Sequence, residues 1–246
     1  MKHPNYSRTL NILDLLTKPS QLILEPIPHF AFAMAANGET SEALFHIKRT
    51  LINLKKDRTG AVQEVAIKGT YTNLAAAKAA AKETLFDEGY DREFFSIYDV
   101  KDNHEGEVWK HGDECQVYAV APESGIFRVE IETSENRYGF VGGADGKVDQ
   151  ELYHVLQTTI HYNLDRSGAR RDVTIEDTLG TAEQARQRAL EVLLDEDVTK
   201  ESFEKYDENM GQEDWPFDED ILVHAVGSGG ENYLVQVIKE EATAKK

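Results

Sequence analysis

The chain has 246 residues, of which 40% are apolar and 29% charged, a composition typical of a globular protein and too apolar for a fully disordered one. Its 27 Lys+Arg against 45 Asp+Glu give a formal net charge of −18, which repels phosphate backbones and anionic lipids and so argues against direct binding to either. The single cysteine, Cys115, excludes an internal disulfide framework and a cysteine-based zinc site.

Neither a membrane span nor an export signal is predicted. No segment approaches the roughly 18 consecutive apolar residues that a membrane-spanning helix needs. The amino-terminal residues are not followed by the continuous apolar region of a secretory signal. One cysteine without a partner is typical of a reducing compartment. We therefore expect a cytoplasmic protein.

The first 27 residues form an amphipathic segment that differs from the rest of the chain. Ser7 is suited to cap a short helix that runs to Lys18. Leu13 and Leu16 would then lie near one face of that helix. Three interpretations stay open: the helix docks on the rest of the chain, Leu13 and Leu16 contact a protein partner through a groove, or the segment is disordered.

The remaining chain contains one pattern twice, in residues 28–135 and 136–241, and ends in a tail at 242–246. At an offset of 108 residues the matched pairs include Phe32 with Phe140, Leu44 with Leu152, His46 with His154, Thr50 with Thr158, and Leu85 with Leu193. After a two-residue slip, Trp109 lies over Trp215. A period this long is not that of a solenoid, so the register predicts a duplicated domain.

Both copies predict the same elements in the same order. A short apolar strand with a tight turn comes first, then two long strands joined by an Asp-Arg-Thr/Ser-Gly turn, and then an alanine-rich helix. These elements are predicted at His29–Ala36, Leu44–Lys56, 62–71 and Leu74–Phe86, and again at Arg137–Gly143, Leu152–Asn163, 170–178 and Ala182–Leu194. Asn73 and Thr181 are suited to cap the helices. Leu85 and Leu193, at matching helix positions, are predicted to be buried.

An acidic loop with one tryptophan follows each helix, and a two-strand hairpin closes each copy. The hairpins are predicted at 114–121 with 126–133 and at 220–227 with 232–239. Strands joined by short turns pair antiparallel, and one sheet with one helix leaves a face uncovered. The predicted fold class is α+β: an internally duplicated unit of about three strands, one helix and a two-strand hairpin, with antiparallel sheets packed about a pseudo-twofold axis. We expect both copies to form one compact body.

Four side chains are candidates for a site. The matched His46 and His154 are weak catalytic candidates, because a neutral imidazole is a general base or a metal ligand. Leu44 shares the strand face of His46, which favours instead a core histidine bonded to a neighbour. Trp109 and Trp215 either anchor their loops over the core or contact a ligand or partner. No cofactor and no metal site is predicted, since the acidic runs and other histidines lack the spacing of an EF-hand or zincin motif.

Three function classes stay open. The first is a non-enzymatic protein-interaction or scaffold protein, favoured by the lack of a catalytic motif, the acidic surface and the amino-terminal helix. The second is a small-molecule-binding protein or enzyme with a pocket between the two copies, near His46, His154 and the tryptophans. The third is an acidic mimic of nucleic acid, which needs carboxylates at phosphate-like spacing.

Overall fold

A computed structural model describes residues 41–101 and 108–241, which belong to one compact unit. They form an α+β fold of two five-stranded antiparallel sheets and two α-helices. The amino-terminal segment with Leu13 and Leu16, the predicted strand at His29–Ala36 and the carboxyl-terminal tail lie outside the described residues. No helix in the described part of the chain is both long and apolar enough to cross a membrane.

The first sheet has the strand order β2-β1-β5-β4-β3, with one helix after its second strand. Its elements are β1 (Ala43–Asn53), β2 (Gln63–Tyr71), α1 (Leu74–Asp87), β3 (Ile97–Val100), β4 (Cys115–Val120) and β5 (Gly125–Glu135). Neighbouring strands are antiparallel throughout.

The second sheet has the order β7-β6-β10-β9-β8, which is the same order counted from its own first strand. Its elements are β6 (Tyr153–Ile160), β7 (Arg171–Leu179), α2 (Ala182–Glu191), β8 (Lys205–Glu208), β9 (Ile221–Val226) and β10 (Asn232–Lys239).

Both helices begin where the sequence predicts, because their caps are made. The Asn73 side chain accepts a hydrogen bond from the backbone N–H of Ala76 at 2.9 Å, and Thr181 accepts one from Gln184 at 3.3 Å. The helix α2 ends at Glu191, three residues before the predicted end at Leu194. After Glu191 the chain makes a tighter turn, in which the N–H of Leu194 donates a hydrogen bond to the carbonyl of Glu191 three residues earlier.

The prediction of a strand at Arg137–Gly143 is wrong. The side chain of Asn136 accepts from the N–H of Phe140 and donates to its carbonyl, both at 2.8 Å, so these backbone groups need no neighbouring strand. The fifth strands are instead β3 and β8, which lie in the segments predicted as acidic loops. Each has four residues at a sheet edge, too short for a readable alternation.

Each sheet is covered by its helix on one face. Ala77, Ala81 and Leu85 of α1 are fully buried against the first sheet, and Ala185 and Ala189 of α2 against the second. Small side chains let helix and sheet approach closely, which the alanine stripe predicts.

The prediction for Leu193 is wrong in degree, because this side chain is only half-buried. It lies beyond the end of α2, whereas its match Leu85 lies within α1 and is fully buried.

The faces away from the helices meet each other. Ile67 of β2 packs with Leu156 of β6 and Ile175 of β7. A second apolar group joins Leu44 of β1 to Leu152, just before β6. The contact between these two sheet faces is called the junction below.

Candidate functional site: the junction and its cleft

The matched histidines lie at the centre of the junction. His46 comes from β1 and His154 from β6, and both are fully buried. Their ring centroids are 5.3 Å apart and the rings are close to perpendicular. The fold therefore brings together the two residues that the sequence paired, in a place without access to solvent.

The hydrogen bonds of His46 define its protonation. The Thr70 hydroxyl donates to Glu240 Oε2 at 2.5 Å. The Thr70 oxygen then accepts from His46 Nδ1–H at 3.0 Å, and His46 Nε2 accepts from the Ser134 hydroxyl at 2.7 Å. Burial, and next the neighbouring His154 and Lys48, hold the pKa of His46 well below its ordinary value. His46 is thus a neutral imidazole with both nitrogens used.

His154 is bonded in a parallel way within the second sheet. Its Nδ1 lies 3.1 Å from the hydroxyl of Thr178, as His46 Nδ1 lies 3.0 Å from that of Thr70. Its Nε2 lies 3.2 Å from Glu240 Oε2. Glu240 therefore bonds both sheets, through Thr70 in β2 and through His154 in β6.

A buried ion pair continues the junction beyond the histidines. Lys48 Nζ lies 2.7 Å from Glu132 Oε2, and both side chains are almost entirely buried. Lys48 also donates to the carbonyl of Val173 at 2.6 Å, and the N–H of Ile175 donates to Glu132 Oε1 at 2.5 Å. Since β7 is an edge strand of the second sheet, this pair satisfies backbone groups that its edge would leave open.

An open cleft of about 760 Å³ follows this ion pair between the sheets. Both sheets line it, the first through β1, β2 and β5 and the second through β7. Its polar and charged lining residues are Lys48, Thr50, Gln63, Glu114, Arg128, Glu130, Glu132, Thr133, Arg171, Asp172 and Thr174. His46, His154 and the tryptophans are not among the lining residues.

Most charges of the cleft are paired within the protein. Arg128 Nη2 lies 2.7 Å from Glu130 Oε1, and Asp172 Oδ2 lies 2.7 Å from His161 Nε2. Arg171 differs from these, because its Nε and Nη2 both donate to a backbone carbonyl, that of Gly168, at 2.9 and 2.6 Å.

The tryptophans do not line the cleft, and each lies against a ring of its own loop. Trp109 packs edge-on to His111 at 4.8 Å, and Trp215 packs edge-on to Phe217 at 5.2 Å. Within the described residues, neither indole N–H has a hydrogen-bond partner.

Behind each tryptophan a histidine and an aromatic ring are packed together. His111 stacks on Tyr118 at 4.0 Å, and Phe217 packs on His224 at 4.6 Å. Each histidine lies within 3.1 Å of a carboxylate, Asp99 or Asp207. At matched positions the histidine and the aromatic residue are exchanged between the halves, so comparing residue identities does not reveal the shared arrangement.

Sequence reasoning offered a pocket between the two copies near His46, His154 and the tryptophans, but it missed the charged residues that line the observed cleft. The sequence did indicate that Lys48 is paired, because it lies on the same strand face as Leu44 and His46, where a charged residue needs a partner. The indication for Arg171 was weaker: its match in the first copy is the uncharged Gln63, so the charge itself is not needed at that position. The partners themselves come from other strands and have no mark in the sequence.

In residues 41–101 and 108–241, no group of three or more histidines, cysteines or carboxylates is arranged to hold a metal ion. Comparison with known proteins adds no relative: no family model, no curated protein and no solved structure matches this chain.

Proposed function

We propose that this chain is a binding protein that takes up a small polar molecule in the cleft between its two sheets. The observation that supports the proposal most is the cleft itself. Its volume of about 760 Å³ lies in the range of roughly 300–1,000 Å³ that ligand sites occupy. Charged and hydroxyl side chains from both sheets face this space.

The neighbouring junction supports the proposal by making the cleft rigid. The Lys48–Glu132 pair joins the first sheet to β7, and Glu240 joins β2 to β6. A preformed site loses little conformational entropy when a ligand binds. In this proposal His46 and His154 hold the two sheets together and do not contact the ligand.

A cleft-filling variant tests this function. Thr174 is an exposed residue of β7 that lines the cleft, so Thr174→Trp fills the space without changing the core. The control is Gln187→Trp, which adds the same ring on the exposed face of α2. Amino acids, amines, carboxylates and sugars are screened by ligand-observed NMR. We expect hits to bind the wild type and Gln187→Trp but not Thr174→Trp. Hits that persist in Thr174→Trp, or a screen without hits, would contradict the proposal.

We also propose that the two halves are a duplicated unit related by a pseudo-twofold axis through the junction. The equal strand order of the sheets supports this, as do the matched bonds of His46 to Thr70 and His154 to Thr178. A cleft beside such a junction receives residues from both copies, which explains its mixed lining.

A second candidate function is protein interaction by a protein of the cytoplasm. Three lysines line a groove of about 470 Å³, namely Lys78 and Lys82 of α1 and Lys101, together with Ala75, Ala79, Gln116 and a single carboxylate, Glu83. In a chain of net charge −18, such a lysine-lined groove favours an acidic segment of a partner.

The double variant Lys78→Glu and Lys101→Glu tests this second candidate. We expect a partner captured at near-physiological salt to be lost from the double variant and kept by Lys200→Glu, a charge reversal far along the chain. Equal capture by both variants would exclude the groove. Deleting residues 1–27 tests separately whether Leu13 and Leu16 contact that partner.

A further inference from the structure

Arg171 is a cation of the cleft that forms no ion pair within 4 Å among the described residues, although Asp57 acts on it from a longer distance. A guanidinium carries five N–H groups. Two bonds go to the Gly168 carbonyl, so three N–H groups of the five are left without a partner among the described residues. The side chain is half-buried, and this burial lowers the pKa of Arg171. The cleft thus holds a partly dehydrated positive charge that no carboxylate of the described residues contacts directly.

The turn next to Arg171 does not need that charge. The matching turn of the first half is held by Gln63, whose Nε2 donates to the carbonyl of Gly60 at 3.2 Å. A neutral amide therefore makes the same bond as Arg171 makes to Gly168. Both side chains line the cleft, so the guanidinium of Arg171 adds a charge there beyond its role in the turn.

The other charges of the cleft limit what can bind beside Arg171. Lys48 and Arg128 are paired with Glu132 and Glu130, while Asp172 is paired with His161. The exposed Glu114 also lines the cleft. A ligand with two negative charges would be repelled by these carboxylates, whereas one carboxylate accompanied by an ammonium group would be attracted by both signs.

We propose that the cleft binds a small zwitterion, an amino acid or short peptide, whose carboxylate is held by the guanidinium of Arg171. The fork of N–H groups matches the two oxygens of a carboxylate and favours paired hydrogen bonds. The ammonium group of the ligand then lies towards the carboxylates of the cleft. This inference rests on the proposed function and specifies its ligand class.

The variant Arg171→Gln tests the inference, because it installs the residue that the chain itself uses at the matching turn. The control Arg170→Gln removes the same charge one residue away, from an exposed side chain that does not line the cleft. Glycylglycine is titrated into each full-length protein by calorimetry, and thermal unfolding shows whether the fold is kept. We expect Arg171→Gln to weaken binding about tenfold or more, Arg170→Gln to leave it unchanged, and both to unfold near the wild-type temperature.

Three outcomes would overturn the inference. Equal affinity in Arg171→Gln would show that this guanidinium is not the anchor. Inorganic phosphate that binds through Arg171 as tightly as glycylglycine would show a general anion site and exclude the zwitterion. A wild type that does not bind glycylglycine would exclude the ligand class, while the screen with Thr174→Trp decides separately whether the cleft binds any small molecule.

Discussion

Two histidines show how neighbours decide the role of a residue type. An imidazole with free nitrogens and solvent access suits catalysis, but His46 and His154 are fully buried. Each has both ring nitrogens within hydrogen-bond distance of Thr, Ser or Glu side chains. The ring nitrogens of both histidines are therefore used in hydrogen bonds that hold the junction together.

The stability of the protein is expected to fall in acid through His46. The unfolded imidazole titrates near its ordinary value of 6.5, whereas the pKa of buried His46 is well below it. Below about pH 6.5 the unfolded chain binds a proton that the folded chain does not. The folded state thus loses up to about 1.4 kcal/mol per pH unit as the pH falls towards the folded pKa.

Urea unfolding between pH 7.5 and 5 measures this slope in the wild type and in His46→Gln, which cannot titrate. We expect the slope to be smaller in His46→Gln by about one proton. The control is His161→Gln, since that ring lies outside the junction and pairs with an exposed Asp172. An unchanged slope in His46→Gln would contradict the prediction.

At the scale of elements, the turns and helix starts follow local rules. Asp57 accepts hydrogen bonds from the backbone of Thr59, Ala61 and Val62, and Asp165 does the same in the second half for Ser167 and Arg170. These bonds lower the pKa of both aspartates, with the bond from the Thr59 or Ser167 side chain first. Such turns are readable from sequence because every partner lies within five residues.

Gly60 is expected to be required by its backbone conformation. Its φ is +79°, where an L side chain costs about 1–2 kcal/mol, although a Cβ would meet only ordinary contacts at 3.5 Å. Gly60→Ala should therefore lower the free energy of unfolding by about that amount. Gly180 has no positive φ and equally open surroundings, so Gly180→Ala is the matched control and should change stability less. Equal losses in both variants would exclude backbone strain as the cause.

The matched leucines of the helices are expected to differ in their contribution. Leu85 is fully buried among α1, β4 and β5, so Leu85→Ala should cost about 2–5 kcal/mol. Leu193 is half-buried beyond the end of α2, so Leu193→Ala should cost less, about 1–2 kcal/mol. Chemical unfolding of both variants gives the comparison, and an equal or larger loss at Leu193 would contradict it.

For the whole molecule, we expect the junction to determine the cooperativity of unfolding. Ile67 and Leu156 pack across it, and Lys48 and Glu240 bond from one sheet to the other. If one half unfolded alone, the buried histidines and the Lys48–Glu132 pair would lose partners in the other half or be exposed to water. Leaving buried polar groups unpaired is costly.

We therefore expect residues 41–241 to unfold in a single calorimetric transition. Leu85→Ala changes the first half and Leu193→Ala the second, and both should lower the midpoint of that same transition. Two transitions, each moved by only one of these substitutions, would show two independent halves.

Much of this architecture could be predicted from sequence alone. The α+β class, the long strands, the helix caps and the turns follow from alternation, capping residues and glycine positions, which are interactions between near neighbours. The match of His46 with His154 came from the same pattern. The short strands β3 and β8 were not predicted, because four residues at a sheet edge show little alternation of apolar and polar residues.

The tertiary structure decided what these residues do. Lys48 donates a hydrogen bond to the carbonyl of Val173, which is 125 residues away in the sequence, and Thr70 donates one to Glu240, which is 170 residues away. No local pattern encodes such pairs, because they depend on how two sheets pack. The same packing buries His46 and His154, leaves Arg171 without an ion pair among the described residues and opens the cleft on one side of the junction. Interactions between near neighbours therefore determined the elements, and only the contact between the sheets decided where the cleft and its charged residues lie.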